Sequence, residues 1–500
     1  MSPHSAERPR DVRSVLSRLT APGPLLAVGL GVTTVAASLW IAMANRALGT
    51  HVGALFSFYF LVGTIGTGAL AGLEQEMTRT VARTHAAGRP VGVAVRGQLR
   101  QAAGLATVTV LILAAASPLL VAHFLGRSWP LALALLAALG ATWASFLVRG
   151  VLAGCQDFRY YSGTLVVQGV AAVVPAVLLT LAGSDHMLGY AFAFGLAPLV
   201  AALSGLASPA LRHSWRATGA GRPAEPTEPT EPSDSSDSGD STETTDSHDS
   251  SEQAGPSVEE PGGSAREKLI LLTLATLVSQ IVINAVPLII GPRLAGGDDL
   301  SRELGKALSS SMGLSRLALL CLFPLQAPLL PLLAAAAVRG DFREVRRKTG
   351  FLVGACLGLG VLGVAGVAAV GPWVLRTYFD APAPLSRTFL AALALSTAFL
   401  MTGFVLQSAQ VALNRHRLVF VSWVAGLAAM AVVFALPLGP LDAAGWAGIA
   451  GPLVVTVIAA VDVTFATRTA SSGSRNPDQA ADLVADVPSP SAPVAEGVRS

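Results

Sequence analysis

The sequence predicts an all-α polytopic membrane protein of about twelve transmembrane helices in two six-helix lobes, and three observations carry that expectation. First, 52% of the 500 residues are hydrophobic and only 13% charged, with a mean hydropathy of +0.58; soluble domains carry roughly 25% charged residues. Second, apolar runs recur from end to end, each long enough to cross a hydrocarbon core about 30 Å thick. Third, the breaks between the runs carry basic residues on alternate sides only. In lipid every backbone polar group must be satisfied internally, which favours helices for runs of this length.

A window of about 20 residues finds the spans at 22–45, 53–75, 101–125, 130–149, 160–182, 188–209, 268–291, 304–333, 350–374, 388–412, 418–437 and 446–467. Turn chemistry separates them, as at Ala47-Leu48-Gly49-Thr50, Gly126-Arg127-Ser128-Trp129 and Gly183-Ser184-Asp185. The polar, basic segment 1–20 precedes a full-length span without a clear cleavage site and reads as a tail, not a signal peptide. Residues 21–210 form a first lobe, 211–266 a linker, 267–468 a second lobe and 469–500 a Pro- and Asp-rich tail. With both termini placed in the cytoplasm, 26 basic residues fall inside and 7 outside, and Arg316 lies within the membrane.

The linker departs sharply from its surroundings. From Glu225 to Glu252 an acid stands at every third position, and within 217–265 Val258 is the one apolar side chain larger than alanine. Such a tract cannot bury a core against its chain entropy and reads as a solvated joint. Residues Glu225–Glu260 hold 12 acids and no Lys or Arg, so the net charge of +3 conceals +15 on the rest of the chain. That surplus suits an anionic membrane surface or an anionic substrate, and the topology signals alone would also produce it. The preference for Arg over Lys, with much Ala and Gly, suggests a GC-rich bacterial genome.

The two halves resemble one another. Asn45-Arg46-Ala47-Leu48-Gly49 matches Pro292-Arg293-Leu294-Ala295-Gly296, and Val151-Leu152-Ala153-Gly154-Cys155-Gln156 parallels Val405-Leu406-Gln407-Ser408-Ala409-Gln410. Repeats of six helices share one orientation, which implies two lobes about a central cavity. At this point the chain resembles the polysaccharide-biosynthesis flippases of the multidrug/oligosaccharidyl-lipid/polysaccharide exporter superfamily. The likeness rests on Asn45-Arg46-Ala47-Leu48-Gly49 with Gly53, on Gly72-Leu73-Glu74-Gln75 with Arg79, and on Arg149 to Gly154 running into Asp157-Phe158-Arg159. It spans about 21–210 and 266–468; the long acidic insert is a departure. The resemblance implies alternating access and movement of a lipid-linked, usually pyrophosphate-bearing saccharide to the outer leaflet of a bacterial plasma membrane. Glycosyltransferases or polymerases of the same pathway would be its protein partners.

Charges inside a bilayer are expensive and mark candidate sites. Arg316, at the end of a Ser309–Gly313–Arg316 stripe, could hold a phosphate or sugar carboxylate in bidentate fashion, or be satisfied by carbonyls or an acid nearby. Gln280 and Asn284 share a helix face with Thr273, Thr276 and Pro287, and Gln407 shares one with Gly403 and Gln410. These stripes either hydrogen-bond sugar hydroxyls or glue helices together. Arg79 is placed to meet the incoming headgroup at the inner mouth and to pair with Glu76, while Glu74 and, more weakly, Asp462 are the acids for ion coupling. Arg46 and Arg293 either gate the outer mouth or snorkel.

Other chemistries find little support. Gly358-x-Gly360-x-x-Gly363 lies inside an apolar span with no preceding strand, and reads as helix packing, as does Gly68-x-x-x-Gly72. No phosphate-binding loop with a lysine exists, and the histidines and the three cysteines lack ligand spacing. No cofactor, metal site, enzyme activity or nucleic-acid partner is expected. Beside the flippase stand a cation-coupled drug or metabolite antiporter of the same superfamily and a transport-inactive scaffold that recruits partners through the linker.

Overall fold

A computed structural model describes residues 22–86, 91–209, 211–212, 265–315, 319, 333, 336–337, 339–381 and 385–473. Among them every regular element is helical. The first lobe holds α1 (Pro22–Leu48), α2 (Gly53–Leu61, a π-helical turn Val62–Thr67, then Gly68–Ala86), α3 (Val91–His123), α4 (Trp129–Gly154), α5 (Phe158–Leu181) and α6 (Met187–Gly195 with Ala197–Gly205). The second holds α7 (Ala265–Ala295), α8 (Asp299–Ser315), α9 (Phe342–Thr377), α10 (Arg387–Ala412), α11 (His416–Ala435) and α12 (Pro440–Gly473). Ten stretches are long and apolar enough to cross a membrane, because α1 and α2 run on as one stretch, Pro24–His85, and the described part of α8 is short. Arg316 and most of the rest of the eighth window lie outside the described residues. So do most of the linker and the C-terminal tail beyond Gly473.

Several helices outrun their apolar windows. α3 begins at Val91 and α9 at Phe342, well before positions 101 and 350. Hydropathy detects the hydrocarbon crossing, whereas backbone hydrogen bonding continues where Arg96, Arg100, Arg343 and Arg346 can sit in water. Caps set the remaining ends. Ser128 accepts the Leu131 N–H before α4, and Ser386 accepts the Phe389 N–H before α10. Asp157, Asp341 and Asp298 likewise accept from Tyr160, Glu344 and Ser301. At Asp298, which lies outside the spans, the bonds from Ser301 hold the carboxyl below its ordinary range.

The repeat is visible in hydrogen bonds. After α4 the N–H groups of Cys155, Gln156 and Asp157 donate to Val151, Ala153 and Leu152; after α10 those of Leu413, Asn414 and Arg415 donate to Ala409, Val411 and Gln410. Gln156 and Asn414 both take positive φ. The structural register therefore pairs Asp157 with Arg415 and Arg149 with Gln407, and differs from the pairing of Val151 with Val405 read from local sequence. The loop before α10 is longer than that before α4, so no single offset aligns both ends. Within the lobes α1 packs on α5 as α7 packs on α11, and α4 on α6 as α10 on α12.

Small residues bring helices close. A side chain added at Gly154 would stand 2.6 Å from Val81 and 2.9 Å from the Thr78 carbonyl, so α2 and α4 touch backbone to backbone. Between the lobes α2 runs along α7: Gly53 faces Ala295, Gly68 faces Leu277 and Gln280, and Gly72 faces Thr273. Of the three glycines of the dinucleotide-like motif only Gly360 meets a neighbour, Ala398. Trp40, Tyr59 and Phe194 stack in the first lobe, and the Trp40 indole donates to the Tyr190 carbonyl.

Candidate functional site

Two faces of the bundle are distinguished here: the proximal face, where α1 begins and α12 ends, and the distal face opposite. On the distal side the lobes are stitched together. Asn45, near the end of α1, is fully buried; its amide donates to Ser310 Oγ at 2.8 Å and to the Phe379 carbonyl at 2.7 Å across the seam. Its Oδ1 has no hydrogen-bond partner among the described residues. Arg46 follows with long contacts of 3.4 Å to the carbonyls of Thr377 and Tyr378. Lys306 on α8 is buried and pairs at 3.4 Å with Asp380, a half-exposed residue held at a φ of 50°. Ile41 meets Gly313 in the same seam.

A second polar cluster lies inside the first lobe, near the proximal end of α2, α4 and α5. Tyr161 Oη donates to Glu74 Oε1 at 2.6 Å. Arg149 is buried and donates from Nε to Thr164 Oγ1 at 3.1 Å and from Nη2 to Gln168 Oε1 at 2.5 Å. Glu74 and Arg149 approach one another across this packing without an ion pair between them. Gly150 makes the approach possible, because an added Cβ there would lie 2.9 Å from the Glu74 carbonyl.

The second lobe answers with a cluster of its own. Arg415 pairs with Asp462 at 2.6 Å, and the Gln410 amide donates to the other Asp462 oxygen at 2.9 Å. The pseudo-equivalent Asp157 accepts from Ser208 Oγ at 2.6 Å. One turn is thus tied to Ser208 just beyond α6 and the other to α12, with opposite charges. Asp157 suits the N-terminus of α5, whereas a cation in that place needs the acid on α12.

The residues singled out from sequence are spread over these places. Gln280 faces α2 at Gly68 in the seam, and the buried Asn284 donates its amide to the Gln280 carbonyl on its own helix. Gln407 accepts from the Trp423 indole at 2.8 Å inside the second lobe. Arg79 is exposed and pairs with Glu76 at 2.8 Å. Glu74 and Asp462 sit in the two proximal clusters, Arg46 lies on the distal seam, and Arg316 is outside the described residues. Sequence reasoning did not single out Arg149, Tyr161, Gln168, Lys306 or Asp380. Arg149 carried a signal, since an arginine ending an apolar window requires partners; no spacing linked Lys306 to a residue more than seventy positions away.

Three cavities complete the picture. An apolar cleft of about 240 Å³ lies between the lobes, lined by residues including Leu61, Leu120, Phe124, Ala285, Leu427 and Phe434. A pocket of about 440 Å³ opens between them on the distal side. A larger groove of about 820 Å³, with Arg159 and Tyr160, sits at the rim of the first lobe away from the seam.

No family model and no curated protein matches the sequence. Solved structures do. An outward-facing multidrug resistance MATE family transporter of the MOP superfamily aligns with a TM-score of 0.59 at 14% identity, over 90% of this chain and 96% of that one. An inward-facing conformation of such a transporter gives 0.58 at 13% identity, over 91% and 98%. A Vibrio cholerae MATE transporter bearing an Asp-to-Asn mutation gives 0.57 at 13% identity, over 92% and 98%. The chain is a multi-pass membrane protein with the two-lobed, twelve-helix fold of MATE-like transporters.

Proposed function

We propose that the protein is a flippase, which moves a lipid-linked oligosaccharide or polysaccharide precursor from the inner to the outer leaflet of a bacterial plasma membrane by alternating access, driven by an ion gradient or the membrane potential. The distal face is then the outer one, in keeping with its few basic residues. One observation carries the choice of cargo: the pocket between the lobes on the distal side is lined by Arg127 and Arg302 and by no carboxylate. Arg46 and Lys306 stand near it, Asp298, Asp299 and Asp380 are not part of its lining, and α1 contains no acid. A pathway of this sign attracts a pyrophosphate and repels a cationic drug. The apolar cleft between the lobes offers the lipid tail a dry surface. In this reading Asn45, Arg46 and Lys306 hold the outer side shut, and Arg316, Gln280, Asn284 and Arg79 meet the cargo on its way.

The test is flipping by purified full-length protein in liposomes, with a fluorescent polyprenyl-pyrophosphate saccharide and a membrane-impermeant quencher. Protein-dependent, gradient-stimulated exposure of the probe is expected. Failure to move any such probe, together with efflux of cationic dyes, would establish the second reading instead. That reading, a cation-coupled antiporter, is favoured by Glu74, an acid hydrogen-bonded by Tyr161 inside the first lobe. Glu74→Gln and Asp462→Asn in the same assay separate ion coupling from cargo binding: a coupling acid is expected to abolish the dependence on the gradient while leaving passive exchange.

A further inference from the structure

The distal pocket has the composition of a site, not only of a gap. Its walls come from both lobes: Thr50 and His51 from the turn after α1, His123 and Arg127 from the end of α3 and its loop, Arg302 from α8. A narrower pocket shares Thr50, Ser57 and Arg302 with it and reaches Lys306 and Ser309. The volume of about 440 Å³ falls in the usual range of about 300–1,000 Å³ for small-ligand sites. No carboxylate lines either pocket. The acids in the neighbourhood are not part of the lining: Asp299 pairs with Arg302 at 3.0 Å, Asp380 with Lys306 at 3.4 Å, Asp298 turns to Ser301, and Glu303 on α8 buries one carboxylate oxygen.

Lys306 is the decisive group. Its side chain is 4% exposed, whereas Asp380 is 54% exposed, so a desolvated ammonium depends on a long contact to a solvated carboxylate. A buried charge with so loose a partner gains from a second anion. Asp380 moreover adopts a left-handed backbone, which costs a non-glycine residue of order 1 kcal/mol or more. The turn that holds it is the one gripped by Asn45 through the Phe379 carbonyl.

We infer that the distal inter-lobe pocket binds a phosphate- or pyrophosphate-class anion, with Arg302 and Arg127 in its walls and Lys306 in the narrow recess that adjoins it. Asp380 occupies the place of that anion in the closed seam. An arriving phosphoryl group exchanges with the Asp380 carboxylate, and the exchange loosens the turn that Asn45 holds. The site extends the flippase reading by giving the cargo's headgroup a place on the exit side.

The test measures binding, not transport. Full-length protein in phosphatidylcholine nanodiscs is titrated calorimetrically with inorganic pyrophosphate. Wild-type protein binds it; Lys306→Met and the surface variant Arg302→Gln each weaken binding about tenfold or more. Asp380→Asn removes the internal competitor and tightens it, and Arg346→Gln, exposed at the start of α9 on the proximal face, leaves it unchanged. If phosphatidylglycerol mixed into the nanodisc competes with pyrophosphate, a lipid headgroup is the occupant; if not, the phosphate of the cargo or of solution is. Absence of binding to wild type, or binding undiminished in both Arg302→Gln and Lys306→Met, overturns the site and leaves the transport reading standing. Binding without flipping in liposomes does the reverse.

Discussion

Arg149 carries a guanidinium inside the first lobe, where a lone cation would cost several kcal/mol. Thr164 and Gln168 answer its hydrogen-bonding needs and Glu74 its charge, while Tyr161 holds Glu74. The partners come from α2, α4 and α5, so the cluster also fixes how these three helices sit. Removing one charge strands the other. Arg149→Met is expected to destabilise the protein by about 3 kcal/mol, and adding Glu74→Gln to it should recover most of that loss. Thermal melting of the two single variants and the double variant in detergent checks this; simple addition of the two losses would show that the charges do not interact. The sequence displayed both residues, yet nothing in it brought Glu74 and Arg149 near one another, because their approach through Tyr161, Thr164 and Gln168 depends on the rotation of the helices.

At the scale of the element, glycine placement decides which helices pack backbone to backbone. Gly150 and Gly154, one helical turn apart on α4, receive Met77 and Val81 of α2. At Gly154 a Cβ would press against both the Val81 side chain and the Thr78 carbonyl, and the carbonyl cannot turn aside. Gly154→Ala should therefore cost about 1–3 kcal/mol, read as a lower melting temperature, whereas Gly97→Ala, in open space on α3, should not lower it. The seam helix α2 has a different specialisation. Its π-helical turn Val62–Thr67 interrupts the regular ladder halfway along the contact with α7. Hydropathy registered the span 53–75 but not this turn, since a change in hydrogen-bond pitch leaves the apolar pattern nearly unaltered.

For the whole molecule, the distal seam between α1 and α8 must part if the lobes rock to open that side. A short, cleavable thiol cross-linker joining Asn45→Cys to Ser310→Cys, whose native side chains lie in hydrogen-bond contact, should stop transport, and cleaving it should restore transport. Measuring flipping before and after reduction decides the matter; transport by the cross-linked protein would mean that this seam stays closed throughout the cycle. Asn45→Ala alone removes two hydrogen bonds worth about 0.6 kcal/mol each in membranes, enough to shift a balance between two conformations but not to unfold a lobe.

The sequence by itself determined the all-helical, multi-pass plan in two lobes, because a bilayer leaves the chain no other way to satisfy its backbone. It also showed which loops are basic. Only the tertiary structure decided what the polar residues do. Gln407 could not be told from a cavity residue until Trp423 was seen to claim it, and nothing marked Lys306 until α8 proved to bury it beside Asp380. Hydropathy measures how deep a residue lies and is blind to the direction it faces. Helix rotation, set by the glycine contacts and by the caps at the turns, supplied that direction.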